Sequence, residues 1–156
     1  MTYLAIDKHP YFIAYALFNY ETKKLIRWGI VYFQAKEESE RITEIWNGVE
    51  SLLKETDPTI VLTHWIDLRL TMKRDLEHIA QIKTILRKLC IDRKVMYNEF
   101  KTSGWEKRIT SQKKPSKAAK LKIAKEYCQM IDSVEVANAI ILGEGVVYNR
   151  LQIGRD

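Results

Sequence analysis

The side chains with most to offer chemically fall in residues 130–142, where Asp132, Glu135 and Asn138 recur at steps of three in an otherwise apolar run. Residues three apart on a helix are surface neighbours. Two carboxylates and an amide would then share one ridge beside Val134, Val136, Ile140 and Ile141. The same spacing has a plainer use, because Asp132 as N-cap with Glu135 three residues on is a capping box. A third acid, Asp7, ends an apolar strand near the other end of the chain. If acids from two distant elements meet, they form a set of hard oxygen donors, the kind Mg²⁺ takes while keeping several waters.

Periodicity indicates the elements that would have to bring them together. Residues 3–6 are a short apolar run ending at Asp7, and Pro10 breaks it soon after. Residues 12–20 and 25–33 read as two more strands, rich in aromatic and β-branched side chains, with Glu21-Thr22-Lys23-Lys24 as the turn. Such short links predict an antiparallel meander. Over residues 36–55 the period becomes 3.6, with Ile42, Ile45, Trp46, Val49, Leu52 and Leu53 as the apolar stripe of a helix. Asp57-Pro58 closes it.

Residues 59–63 read as a buried strand parallel to the first, because a helix crosses over before it. That strand delivers His64, Trp65 and Asp67 at its carboxyl end, on the edge where Asp7 leaves its own strand. A long helix over 68–90 follows, with Leu76, Ile79, Ile82, Leu86 and Leu89 as its stripe, then a short strand over 94–100. A helix with Pro115 as its N1 residue turns Ala118, Leu121, Ala124, Tyr127 and Cys128 inward, and the helix of Asp132 comes last. The order β-β-β-α-β-α-β-α-α predicts an α/β protein of one domain over 1–156. Its five-stranded mixed sheet, flanked by helices with acids converging on one edge, is the ribonuclease-H-like fold.

Charge points the same way. The chain carries +6 overall, but residues 101–125 hold nine cations against Glu106 alone, a net +8, so the rest is slightly acidic. So one-sided a run predicts phosphate binding rather than a merely solvated face. The residues expected to do it are Lys101, Trp105, Lys107, Arg108, Lys113, Lys114, Lys117 and Lys120. Trp105, after Gly104 and between lysines, could stack on an unpaired base or pin the loop to the body. No apolar run reaches the ~18 residues of a membrane span, and no secretory signal precedes the first strand. Cys90 and Cys128 sit in helical patterns far from each other and read as reduced thiols of a cytoplasmic protein.

From residue 3 to about 142 the chain resembles the RuvC Holliday-junction resolvases, in a compact, phage-type form. The matching pieces are the apolar run into Asp7 with its following strand, the first helix over residues 41–58, and Asp132-Ser-Val-Glu135 with small apolar residues after it. The last is similar to the family's Asp-Ala-x-Asp-Ala-x-Ala helix, and Pro115-Ser-Lys117 to Lys120 resembles its basic segment.

The resemblance implies a structure-selective endonuclease that nicks four-way and other branched DNA in the cytoplasm of a host cell. Such hydrolysis uses two Mg²⁺ ions ~3.5–4 Å apart, one at the attacking water and one at the leaving oxygen, with Mn²⁺ as a second candidate ion. Asp7 would share the ions, Glu135 would hold the metal beside the water, and Asp132 would complete that shell. A homodimer would form through the helix over 68–90, whose Leu70, Met72 and Ile85 lie off the main stripe. Trp65 would be the aromatic wedge at the crossover.

Two departures from the family stand out. Its second acid, a Glu at the end of strand four, falls on His64, with Asp67 three residues later as the other candidate. Imidazole suits Mn²⁺ better than Mg²⁺. The glycine two residues after the first acid is His9, and later glycines are Ala14 and Ala16. Two rival readings therefore stand beside the nuclease: a non-catalytic branched-DNA binder with a decayed site, and a YqgF-like nuclease acting on RNA.

Overall fold

The computed structural model describes residues 1–65, 72–100, 110–111, 115–148 and 153. Its elements are β1 (Thr2–His9), β2 (Phe12–Asn19), β3 (Leu25–Tyr32), α1 (Glu38–Thr56), β4 (Ile60–His64), α2 (Lys73–Asp92), β5 (Met96–Phe100), α3 (Lys117–Tyr127) and α4 (Val134–Val147). They form one five-stranded sheet in the order β3-β2-β1-β4-β5. The first three strands make the expected antiparallel meander, and β4 and β5 pair in parallel beyond β1.

The central position of β1 follows from its composition. Its six inner residues are buried, and their side chains alternate between two cores. Tyr3 and Ala5 join Ala14, Ala16, Phe18 and Leu62 under α4, packed on Val136, Ala137 and Ile140. Leu4 and Ile6 face the other way, against Ile45, Val49 and Leu53 of α1 and Ile82, Leu86 and Leu89 of α2. The small residues Ala5, Ala14 and Ala16 let α4 lie close on the sheet. The closest approach is at Gly143, where a Cβ would stand 2.5 Å from the Phe18 ring.

Several expectations are corrected. Asp7 does not end its strand. The β1–β4 ladder stops at Ile6 opposite Thr63, but the hairpin with β2 carries β1 on to His9 opposite Phe12. Ile42 is 40% exposed and stands outside the buried stripe of α1. Ala118 is exposed, and α3 is capped by the Ser116 hydroxyl, which accepts from the Ala119 amide, so Pro115 precedes the helix instead of opening it. Ile85 is buried in the α1/α2 core, so it is no surplus surface residue, whereas Met72 is exposed. Leu70, with residues 68–71 of the expected long helix, lies outside the described residues.

The capping box is also corrected. The N-cap of α4 is Ser133, whose hydroxyl accepts from the Val136 amide. Asp132 therefore lies before the helix, and only Glu135 and Asn138 share its surface. Among the described residues no helix is long and apolar enough to cross a membrane, and Cys90 and Cys128 are free thiols.

Candidate active site

Alternation along β1 puts Asp7 on the α4 face and Lys8 on the opposite one. Asp7 is 3% exposed, and a buried carboxylate needs partners. It has three. Nε2 of His64, at the carboxyl end of β4, lies 2.7 Å from Oδ1. Nε2 of His9, two residues on along β1, lies 2.9 Å from Oδ2. The Asn138 amide nitrogen, from α4, donates to Oδ2 at 3.0 Å. Burial pushes the Asp7 carboxyl up, but the hydrogen bonds from His64 and His9, with their charges, outweigh it and hold the group far below the usual carboxylate range.

Each histidine is itself fixed. His9 stacks on Phe12, with ring centroids 4.4 Å apart. Burial lowers its proton affinity, but the bond to Asp7 and the charges of Asp7 and Glu135 raise it above the ordinary value. Glu135 thus acts on the same side of the sheet as Asp7, at the first turn of α4, where the Ser133 hydroxyl donates to it. Nδ1 of His64 lies 3.1 Å from the Trp65 carbonyl. Both partners, the Trp65 carbonyl and the ionised Asp7 carboxylate, only accept, so each ring nitrogen of His64 faces an acceptor.

Beneath β1, on the other face, the buried Lys8 ammonium donates to the His64 carbonyl at 3.2 Å and lies 3.8 Å from Glu99. Glu99 accepts from Lys83 and from the Tyr97 hydroxyl, each at 2.8 Å. Burial lowers the Lys8 ammonium to about 8 against the pull of Glu99. Lys83 also sits 4.0 Å from the centroid of the Trp65 ring, which is 43% exposed. This ion cluster braces the strand end that carries His64.

Of the residues expected from sequence, the fold joins Asp7 to His64 directly, and Glu135 lies near enough for its charge to reach His9. Asp132 is exposed just before the α4 cap. Lys117 and Lys120 lie in the first turn of α3. Asp67, Lys101, Trp105, Lys107, Arg108, Lys113 and Lys114 lie outside the described residues. Two direct contacts were not anticipated. His9 was readable from the i, i+2 alternation, which puts it on Asp7's face. Asn138 was on the ridge but had no role.

The donor set bears on a divalent cation. Among the described residues no three His, Cys, Asp or Glu side chains form a ready metal cage. A carboxylate with a separate imidazole at each oxygen gives pairs of donors instead of one cluster. Neighbouring ligands on an octahedral ion with bonds of ~2.1 Å stand ~3 Å apart, comparable to the His64–Asp7 and His9–Asp7 separations. The Asn138 carbonyl oxygen is buried with no hydrogen-bond partner among the described residues, a group a cation would satisfy. The oxygens suit either Mg²⁺ or Mn²⁺, and the imidazole nitrogens favour Mn²⁺, which accepts nitrogen ligands more readily than Mg²⁺.

No protein-family model matches the sequence, and no curated protein is detectably similar to it. Solved structures share its fold, which is ribonuclease-H-like. Thermus thermophilus RuvC superimposes with a TM-score of 0.77 at 13% identity, over 96% of each chain. The same protein in complex with a Holliday-junction substrate gives 0.77 at 12%, over 96% of this chain and 95% of that one. The yeast mitochondrial Holliday-junction resolvase Ydc2 gives 0.67 at 12%, over 95% of this chain and 78% of that one.

Proposed function

We propose that this chain is a divalent-cation-dependent endonuclease that nicks four-way and other branched DNA. The supporting observation is the meeting of Asp7 with groups from two other elements, His64 from β4 and Asn138 from α4. Glu135 is close enough for its charge to act on His9, and the fold is shared with RuvC bound to a Holliday junction.

In this reading Asp7 and Glu135 would hold the cations, with Asp132, exposed just before the helix start, as a further ligand. His64 takes the part of the second acid through Nε2. Its Nδ1 hydrogen on the Trp65 carbonyl is the outer bond that metal-ligating histidines use to fix their tautomer. The chemistry supplied by divalent cations held there would be activation of a water and neutralisation of charge on the leaving oxygen.

The residues of the chain do the rest. The hydrogen bonds of His64, His9 and Asn138 to buried Asp7 orient the donors before substrate arrives, and Lys8 with Glu99 keeps the His64 backbone in place. Lys117 and Lys120, with the cations of residues 101–114, bind backbone phosphates. A two-fold dimer would present two such sites to a symmetric junction. Exposed Met72 and Ile91, at the two ends of α2, support a contact through that helix.

The test is nicking of a synthetic four-way junction in Mg²⁺ or Mn²⁺, compared with linear duplex and with RNA. Cleavage that needs the metal and disappears in Asp7→Asn, with junction binding retained, supports the proposal. Tight junction binding with no cleavage in either metal selects the non-catalytic binder, the reading that His64 in place of an acid favours.

A further inference from the structure

A polar cleft of about 540 Å³ opens between the first turns of α1 and α2, away from Asp7. Four cations line it, Lys36, Arg41, Lys73 and Arg74, against two acids, Glu38 and Glu77. Arg41 is 2% exposed. Its guanidinium donates to the Gln81 side chain and to the Pro10 carbonyl, while Nη1 has no acceptor among the described residues. Nδ1 of His78, in the same cleft, is also buried without a partner there.

The helix end adds to this. α2 begins with no side-chain cap at Met72, so its first amides lack partners within the helix. Lys73 and Arg74 stand at the positive end of its dipole, where cations are disfavoured, and Asp75 is the one acid of that turn. Burial, then Arg41 and Arg74, push the His78 imidazole below its ordinary value. Cations crowded against a helix N-terminus, with two unsatisfied buried nitrogens, are a poor arrangement for an empty cleft and a good one for an anion.

We propose that this cleft binds a phosphate group. A guanidinium, an imidazole and a helix N-terminus are complementary to tetrahedral phosphate oxygens. The phosphate can belong to a nucleic-acid backbone or to a free phosphate ester. Arg41 grips the turn that follows His9, so a backbone phosphate seated here would lie behind the strand end that carries Asp7. The proposal needs no cleavage chemistry and stands apart from the nuclease reading.

Two measurements test it, both without divalent metal. Inorganic phosphate is titrated into the wild-type protein at constant ionic strength while the His78 ring nitrogens are followed by NMR. Duplex DNA binding is then measured against salt for Lys73→Gln/Arg74→Gln and for a control of equal charge loss at exposed sites, Lys54→Gln/Lys88→Gln. A saturable shift of the His78 resonances, absent in the first variant, supports the site. If DNA supplies the phosphate, the slope of log K against log salt falls by about 1–2 in the first variant only. A phosphate response without that change in slope supports the site with a free phosphate ester as its ligand. No response in either measurement overturns it. So does a loss of slope equal in both variants with no phosphate response, because bulk charge would then explain the DNA result.

Discussion

Nε2 of His64 lies 2.7 Å from Oδ1 of Asp7, joining side chains 57 residues apart in sequence. The contact exists because β4 runs parallel to β1 and ends one residue after Thr63, opposite Ile6. Parallel pairing puts both carboxyl ends on one sheet edge, and alternation turns Asp7 and His64 to the same face. A buried carboxylate between two imidazoles and an amide is costly unless every partner is in place. The arrangement is therefore sensitive to single substitutions.

Asp7→Asn replaces the shared acceptor with a group that donates at one of its two positions. Cleavage of a four-way junction should fall by at least ~10³-fold, while junction binding, carried by the lysines, should persist. Gel-based nicking and binding assays on one preparation separate the two. Equal cleavage by this variant would remove Asp7 from the chemistry.

His64→Gln and His64→Glu probe the nitrogen donor. With Mn²⁺ bound to the wild-type protein, pulsed electron paramagnetic resonance should show ¹⁴N coupling from an imidazole, and His64→Gln should lose it. His64→Glu replaces that nitrogen donor with an oxygen and should raise Mg²⁺-supported cleavage relative to Mn²⁺. Coupling that survives His64→Gln would transfer the role to His9, on the other oxygen of Asp7.

Much of this was legible before the fold. The meander, the crossover helix and the convergence of Asp7 with His64 and the last helix follow from period and connection length. The start of α4 did not. Asp132 and Ser133 are both good caps, and fully buried Ile131 anchors the chain just before them, after which the serine hydroxyl meets the Val136 amide. The Lys8–Glu99 pair was illegible for another reason. It joins β1 and β5 across β4, so it depends on two parallel registers at once, and no local pattern encodes that.

Asn138→Asp tests how much the site depends on a cation. A second carboxylate would then stand where an amide now donates to Asp7 at 3.0 Å, and like charges at that range disfavour ionisation of both. The variant should melt lower than wild type in chelator and recover with added Mn²⁺, since a ligand that binds only the folded state stabilises it. Thermal denaturation with and without Mn²⁺ decides. A deficit that Mn²⁺ leaves unchanged would place Asn138 outside any metal site.

Glu99→Gln addresses the buried ion cluster through pH. Burial pushes the Glu99 carboxyl up, but the Lys83 hydrogen bond, the Lys8 charge and the Tyr97 hydroxyl pull it below its ordinary value. A carboxyl held low in the folded state contributes stability above the unfolded value of ~4.3, and that contribution is lost as pH falls through the folded value. At neutral pH the variant removes the nearer counter-charge of buried Lys8, which already sits at about 8 and can shed its proton, and should be less stable by ~1–3 kcal/mol. The gap to wild type should narrow as pH drops from ~5 toward ~3. Urea unfolding across that range measures it, and a gap that stays constant would contradict the assigned pairing.

Gly143→Ala tests the packing that holds α4, and with it Asn138 and Glu135, against the sheet. The added Cβ would meet the fully buried Phe18 ring at 2.5 Å, with the Ala5 methyl at 3.5 Å behind it. Phe18 also packs edge-on against Tyr127 of α3, so its ring has little room to withdraw. Overpacking of this kind should cost ~1–3 kcal/mol. Phe18→Leu removes the ring edge and should absorb part of that cost. The double variant should then be more stable than the two single losses predict, a coupling a double-mutant cycle resolves. Strict additivity would mean that α4 shifts as a body, and the separation of Asn138 from Asp7 should then change as well.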